Sequence, residues 1–167
     1  MTLKNNILAF FIISILGTIG HFIYGFTGEN PVAGVFFPVN ESVWEHLKLI
    51  FYPTIIYSAF DHLTSKDKRR NYLPATVFSI FWGMLYIIVI YYVAKGVIGK
   101  DVEFINIGSY YVAVIISICK KRKILLSDKY FSKNAKAIAF ALALLTAFLL
   151  AVWSFNPPKL GIFNPPV

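Results

Sequence analysis

Cysteine is almost missing from this chain. Cys119 stands alone among 167 residues, which excludes an internal disulfide and any CxxC or Cys/His metal spacing. It reads as a small apolar filler in a reducing compartment. Charge is scarce as well. Asp, Glu, Lys and Arg together make up 14% of the residues, against about 25% in a soluble domain. Hydrophobic residues make up 57% and aromatic residues 17%. So short and oily a chain could not clothe a water-facing surface, and an ordinary soluble domain is excluded. Stock catalytic signatures are absent too: there is no HExxH, no glycine-rich phosphate loop, no Ser/His/Asp order and no nucleic-acid motif. No internal repeat is evident, which weighs against an inverted-repeat transporter.

Long apolar stretches are present instead. A helix of roughly 20 residues crosses a hydrocarbon core of about 30 Å. On that basis the chain reads as five spans, at about residues 7–26, 42–63, 73–94, 104–119 and 137–155. The expected fold class is an all-α polytopic transmembrane bundle, a single integral-membrane domain over residues 1–167. The first run is long for a signal-peptide core and no A-x-A site follows it. Gly17 and Gly20 within it would let another helix approach closely. Gly28, Pro31, Gly34 and Pro38 oppose a regular helix through the first connection, yet Val35, Phe36 and Phe37 are too oily for a solvated loop. That connection is expected to dip into the interface or the protein, where its amides need partners. Pro53 should kink the second span and free a carbonyl. The fourth span is short, which suggests thin or oblique insertion, and Lys120-Lys121-Arg122-Lys123 ends it. Residues 124–131 read as an interfacial helix. The proline-rich tail from Asn156 onward cannot be helical through its prolines, but it has enough Leu, Ile and Phe to pack back onto the bundle.

Basic residues set the orientation. Lys66, Lys68, Arg69 and Arg70 follow the second span, and Lys120, Lys121, Arg122, Lys123, Lys129, Lys133 and Lys136 follow the fourth. Such clusters stay in the cytoplasm. The reading assigns both termini to the outside (N-out/C-out) in a multi-pass plasma-membrane protein. The net charge of +8 is then a topology signal and a phospholipid contact. Expected partners are the lipid bilayer and a lipid-like or small-molecule ligand, with no nucleic acid.

Ionisable groups beside hydrocarbon are costly and mark function. They gather at Pro38-Val39-Asn40-Glu41-Ser42-Val43-Trp44-Glu45-His46-Leu47-Lys48, with His21 on the first span. Ser42 and Glu45 fit a capping box, with Asn40 as a competing cap. Glu41, Glu45, Lys48 and Tyr52 fall on one helical stripe, while His46 lies roughly 100° round from Glu45. Carboxylates and imidazole are the usual ligands of zinc or manganese, so His21, Glu41 and Glu45 are the candidate metal ligands, with His46 at the margin or paired elsewhere. Glu45 and His46 are equally a candidate acid/base pair, and Asn40, Glu41, Trp44 and Lys48 are candidate ligand-binding residues. The function that follows is metal-dependent hydrolysis or transfer on a lipid-like substrate. Two alternatives stay open. One is a non-enzymatic transporter or ligand-binding component whose carboxylates bind a cation or proton. The other is a structural role, with the carboxylates favouring the helix start, Glu45 capping it, and Lys48 paired with Glu45.

The stretch from Pro38 to Lys48, followed by Phe51 and Pro53, resembles a family of small uncharacterised multi-pass membrane proteins of bacteria and archaea that carry a Pro-Val-Asn-Glu-Ser-x-Trp-Glu-His motif. His21 and the closing Phe155-Asn156-Pro157-Pro158 are similar to that family too. Its tails read Pro-Pro-His-Leu-Pro and then Asp-Pro, where this chain has Lys159, Gly161 and Pro165. A ligand role for a tail histidine or aspartate is therefore not carried over. The resemblance implies a multi-pass membrane fold and no particular activity.

Overall fold

The computed structural model describes residues 3–64, 71–127, 131–132 and 134–166. Every regular element among them is helical: α1 (Leu3–Phe26), α2 (Pro31–Phe36), α3 (Val43–Thr64), α4 (Tyr72–Ile98), α5 (Glu103–Leu126) and α6 (Ala135–Phe155), then one 3₁₀ turn at Gly161–Phe163. Four of these are long and apolar enough to cross a membrane: α1 from Asn5, α4, α5 and α6. The 22-residue α3 is as long, but Glu45, His46, Lys48 and Asp61 leave no stretch of it as apolar as those in the other four.

α3 is nonetheless the most enclosed of the long helices. It packs against α1, α4, α6 and, more lightly, α5. Its buried residues, from Val43 through Ser58, run around the whole helix rather than along one stripe. The uniformly apolar α6 instead turns Ile138, Phe140, Leu142, Leu144 and Phe148 outward, a surface suited to hydrocarbon. Charged groups sit where protein supplies partners, and plain apolar helices take the perimeter.

Three local expectations are corrected. The first connection does hold a helix, the short α2, because Pro31 occupies its first position, where no N–H is needed, and Asn30 Oδ1 accepts the Val32 N–H at 2.9 Å. The expected fourth span, α5, does not stop at Cys119. It runs on to Leu126, so the basic cluster forms its last turns, and the expected interfacial helix is reduced to that extension, with residues 128–130 outside the described ones. The capping box is only half made. The Glu45 N–H points to Ser42 Oγ at 3.4 Å, but the Ser42 N–H goes to Asn40 Oδ1 at 2.9 Å, and the Glu45 carboxylate turns elsewhere.

An odd number of crossings would separate the termini, so five spans and two outside termini do not go together. α1 and α3 run antiparallel, and Tyr57 in the second half of α3 donates to the Asn5 carbonyl at 3.3 Å. The amino end of α1 thus sits at the end of the bundle where α3 finishes and Lys121 is buried. The end of α1, the start of α3, the start of α5 and the tail gather at the opposite end. The basic residues from Lys66 to Arg70, with Lys129 and Lys133, lie outside the described residues.

Close packing fixes that second end. A Cβ on Gly17 would lie 1.9 Å from the Tyr110 hydroxyl and 2.8 Å from the Leu49 carbonyl. Only glycine allows α1, α3 and α5 to meet there. The same Leu49 carbonyl is the one Pro53 leaves without its helical partner. The Tyr110 hydroxyl donates to the Ile13 carbonyl at 3.0 Å and lies 3.5 Å from Leu49 O. The tail folds back as expected, with Phe163 buried between Trp44 and Trp153.

Candidate functional site

A cleft of about 660 Å³ opens at the end where α1 finishes and α3 and α5 begin. His21, Glu41 and His46 form one wall. The His21 Nε2 lies 3.6 Å from Glu41 Oε1, and the His46 Nε2 lies 3.4 Å from Glu41 Oε2. The two imidazoles stack with centroids 5.4 Å apart. All three ligand atoms fall within 4.8 Å of one another. Metal–ligand bonds of about 2.0–2.1 Å at tetrahedral angles would set neighbouring ligand atoms about 3.3–3.4 Å apart. Both carboxylate–imidazole separations are close to that edge.

The local chain explains the convergence. Asn40 and Ser42 close an Asx turn just before α3, so Glu41 precedes the helix and is free of its register. It stands in the open, 62% exposed, and swings over His46. The His46 Nδ1 lies 2.8 Å from the Ser42 carbonyl. In the neutral ring, donation there leaves the Nε2 lone pair facing the cleft, as metal-binding histidines require; in the protonated ring Nε2 donates to Glu41 instead. The hydrogen bond from His46 holds the Glu41 carboxyl below its ordinary range. Burial opposes that bond by less, and the charges of His21 and then His46 add still smaller effects in the bond's direction. His21 Nδ1 is buried without a hydrogen-bond partner among the described residues.

The remaining sequence candidates lie behind this wall. Glu45 is buried, 1% exposed, and joined to Lys48 at 2.8 Å. Its Oε2 accepts the Val39 N–H at 3.0 Å, and its Oε1 accepts the Ser154 hydroxyl of α6 at 2.6 Å. Lys48 donates to the carbonyls of Gly34 at 2.6 Å and Phe37 at 3.1 Å, and Tyr52 donates to that of Val35 at 3.2 Å. These side chains satisfy the buried backbone of the inserted connection. Glu45 therefore does not join His21 and Glu41, because His46 takes that place. Lys48 and Asn40 hold the chain, and Trp44 packs with Trp153 and Phe163 away from the cleft.

Sequence reasoning missed the opposite wall. Asp101, Glu103, Asn106, Tyr110 and Tyr111 line it, and Asn106 Nδ2 donates to Asp101 Oδ1 at 2.9 Å. A signal was there: Glu103, Asn106 and Tyr110 recur at helical spacing in an otherwise oily run. A second polar cluster was missed at the other end of α3. Lys121 is 4% exposed and donates to Ser58 Oγ at 2.9 Å and to the Tyr72 hydroxyl at 2.8 Å, over whose ring it also sits. The Tyr72 hydroxyl donates to Asp61.

No curated protein matches this chain, and no solved structure does. The match of a protein-family model to residues 2–167 shows that the chain belongs to DUF6512, a family of unknown function.

Proposed function

We propose that this protein crosses the plasma membrane five times, with its amino terminus in the cytoplasm and its carboxyl terminus outside. We propose further that it binds zinc or manganese at His21, Glu41 and His46 for hydrolysis or group transfer on a lipid-like substrate. The observation that carries this reading is the meeting of two imidazole nitrogens and one carboxylate on the wall of an open cleft. Three protein ligands with a position left toward a cavity are the pattern of catalytic rather than structural zinc. A cation there would supply Lewis-acid polarisation and an activated water. In this reading His46 is oriented by the Ser42 carbonyl, and Glu41 bridges the two imidazoles. α3 is the fifth crossing, since 22 residues suffice for the span and its charged groups find partners within the bundle. The buried Lys121 and the basic end of α5 favour the cytoplasm for the far end.

The test is elemental analysis of the purified protein in detergent, wild type beside His21→Ala, Glu41→Gln and His46→Ala. Near-stoichiometric zinc or manganese that is lost in all three supports the reading. A stable wild type that takes up neither metal after supplementation discards it. Cation or proton transport is the second reading. The buried hydroxyls of Ser14, Thr54 and Thr76, which lack partners among the described residues between the two polar ends, favour it. A flux across proteoliposomes driven by a pH or ion gradient and abolished by Glu41→Gln would select it.

A further inference from the structure

Apart from the imidazoles of His21 and His46, the ionisable groups that line the cleft are acidic: Glu41, Asp101 and Glu103, with no Lys or Arg among the described residues there. Asp101 commits one oxygen to Asn106 and keeps the other. Phe22, Tyr110 and Tyr111 line the same cleft as these carboxylates. Aromatic faces beside carboxylates are the usual setting for an ammonium group. At the rim, Phe22 on α1 and Ile107 on α5 are each about half exposed, at 52% and 51%. Both also line the cleft, which gives it an apolar flank beside the Thr18–Tyr111 contact that joins α1 to α5.

We infer that the occupant of this cleft is a zwitterionic, amine-bearing phospholipid. Its ammonium would lie against Asp101, Glu103 and the Tyr110–Tyr111 rings, its phosphate would face the His21–His46 wall, and its acyl chains would leave over the apolar flank of Phe22 and Ile107. The ammonium end stands on the acidic, aromatic wall alone. The phosphate end rests on the metal reading proposed above, since neutral imidazoles with one carboxylate attract phosphate only with a cation between them. An anionic phospholipid without an amine meets three carboxylates and is disfavoured.

The experiment uses the full chain in nanodiscs. It measures binding of short-chain phosphatidylethanolamine and phosphatidylglycerol to wild type, to the double variant Asp101→Asn/Glu103→Gln, and to Tyr111→Leu. Zinc content and thermal unfolding are recorded for each. Wild type should prefer phosphatidylethanolamine by about tenfold or more, the scale of one desolvated cation–π and ion-pair contact. The double variant should lose that preference with its zinc content unchanged, and Tyr111→Leu should reduce it. Equal binding of the two lipids by wild type, or a preference that survives the folded double variant, overturns the inference. Zinc bound without lipid preference defeats the lipid inference and leaves the metal reading standing. Lipid preference without zinc supports the ammonium site and removes the metal.

Discussion

Glu41 and Glu45 lie four residues apart and belong to regions built on opposite terms. Around Glu45 every strong donor and acceptor is engaged: Lys48, Ser154, the Val39 amide and the carbonyls of Gly34 and Phe37 close a latch with almost no exposed surface. Around Glu41 the groups are half engaged. The ion-pair distances are 3.4 and 3.6 Å, and the carboxylate faces a cleft. A buried charge must have its partners in place, because an orphan there is expensive. A group at a cleft wall can keep capacity in reserve, which a site needs and a clamp does not. The Asp61–Tyr72–Lys121–Ser58 cluster at the far end of α3 follows the latch pattern.

The widest separation between the two regions should come from Lys48→Ala. It strands the Glu45 carboxylate and frees two loop carbonyls, so a loss of about 3–5 kcal/mol is expected. Thermal unfolding in detergent measures it, and an unshifted midpoint would mean the latch holds nothing. Gly17→Ala forces a methyl against the Leu49 backbone and the Tyr110 hydroxyl. A cost of about 1–3 kcal/mol is expected, by the same assay. Tyr72→Phe removes the hydroxyl between Lys121 and Asp61. It should cost about 1–3 kcal/mol while leaving metal content at the cleft untouched, and a variant that lost metal would tie the two ends of α3 together. Glu41→Ala should lower stability by less than about 1 kcal/mol, as for exposed pairs, yet abolish metal uptake. A large loss of stability would place Glu41 with the latch.

The smallest effect concerns pH. The Glu41 carboxyl is held below 4.5, its ordinary value. Its contribution is complete above that value and is lost as pH falls through the lowered one. The difference in melting temperature between wild type and Glu41→Gln should therefore shrink on acidification below about 4.5, and it should also change where the His46 ring, its ion-pair partner, loses its proton. A difference insensitive to both would mean that the pair contributes nothing.

Much of the architecture was readable because it follows from lengths and oiliness: long apolar runs, a proline-rich tail that returns, and glycines where helices touch. The grouping at the cleft was harder to read. Helical spacing put Glu41 and Glu45 on one stripe and His46 off it, and that geometry assumes all three lie in the helix. Helix α3 begins at Val43, so Glu41 escapes the register and reaches His46. Lys121 was hidden by its neighbours. In a run of four basic residues nothing in the sequence says which one turns inward, and only the positions of Ser58 and Tyr72 decide it. Asp101 was hidden because a polar turn between two spans looks solvated until α1 is known to face it.

The enclosure of α3 also constrains the order in which the molecule can be built. A charged residue at the middle of a lone helix resists entry into lipid by about 2.5–3.5 kcal/mol. α3 carries Glu45, Lys48 and Asp61, and every partner of these groups lies elsewhere in the chain or one turn away. If α3 is the fifth crossing proposed above, then α1 arrives first and α4 follows, and α3 would have to wait between them at the insertion machinery until flanking helices could accept it. Its residence in the membrane is then a property of the assembled group rather than of the segment.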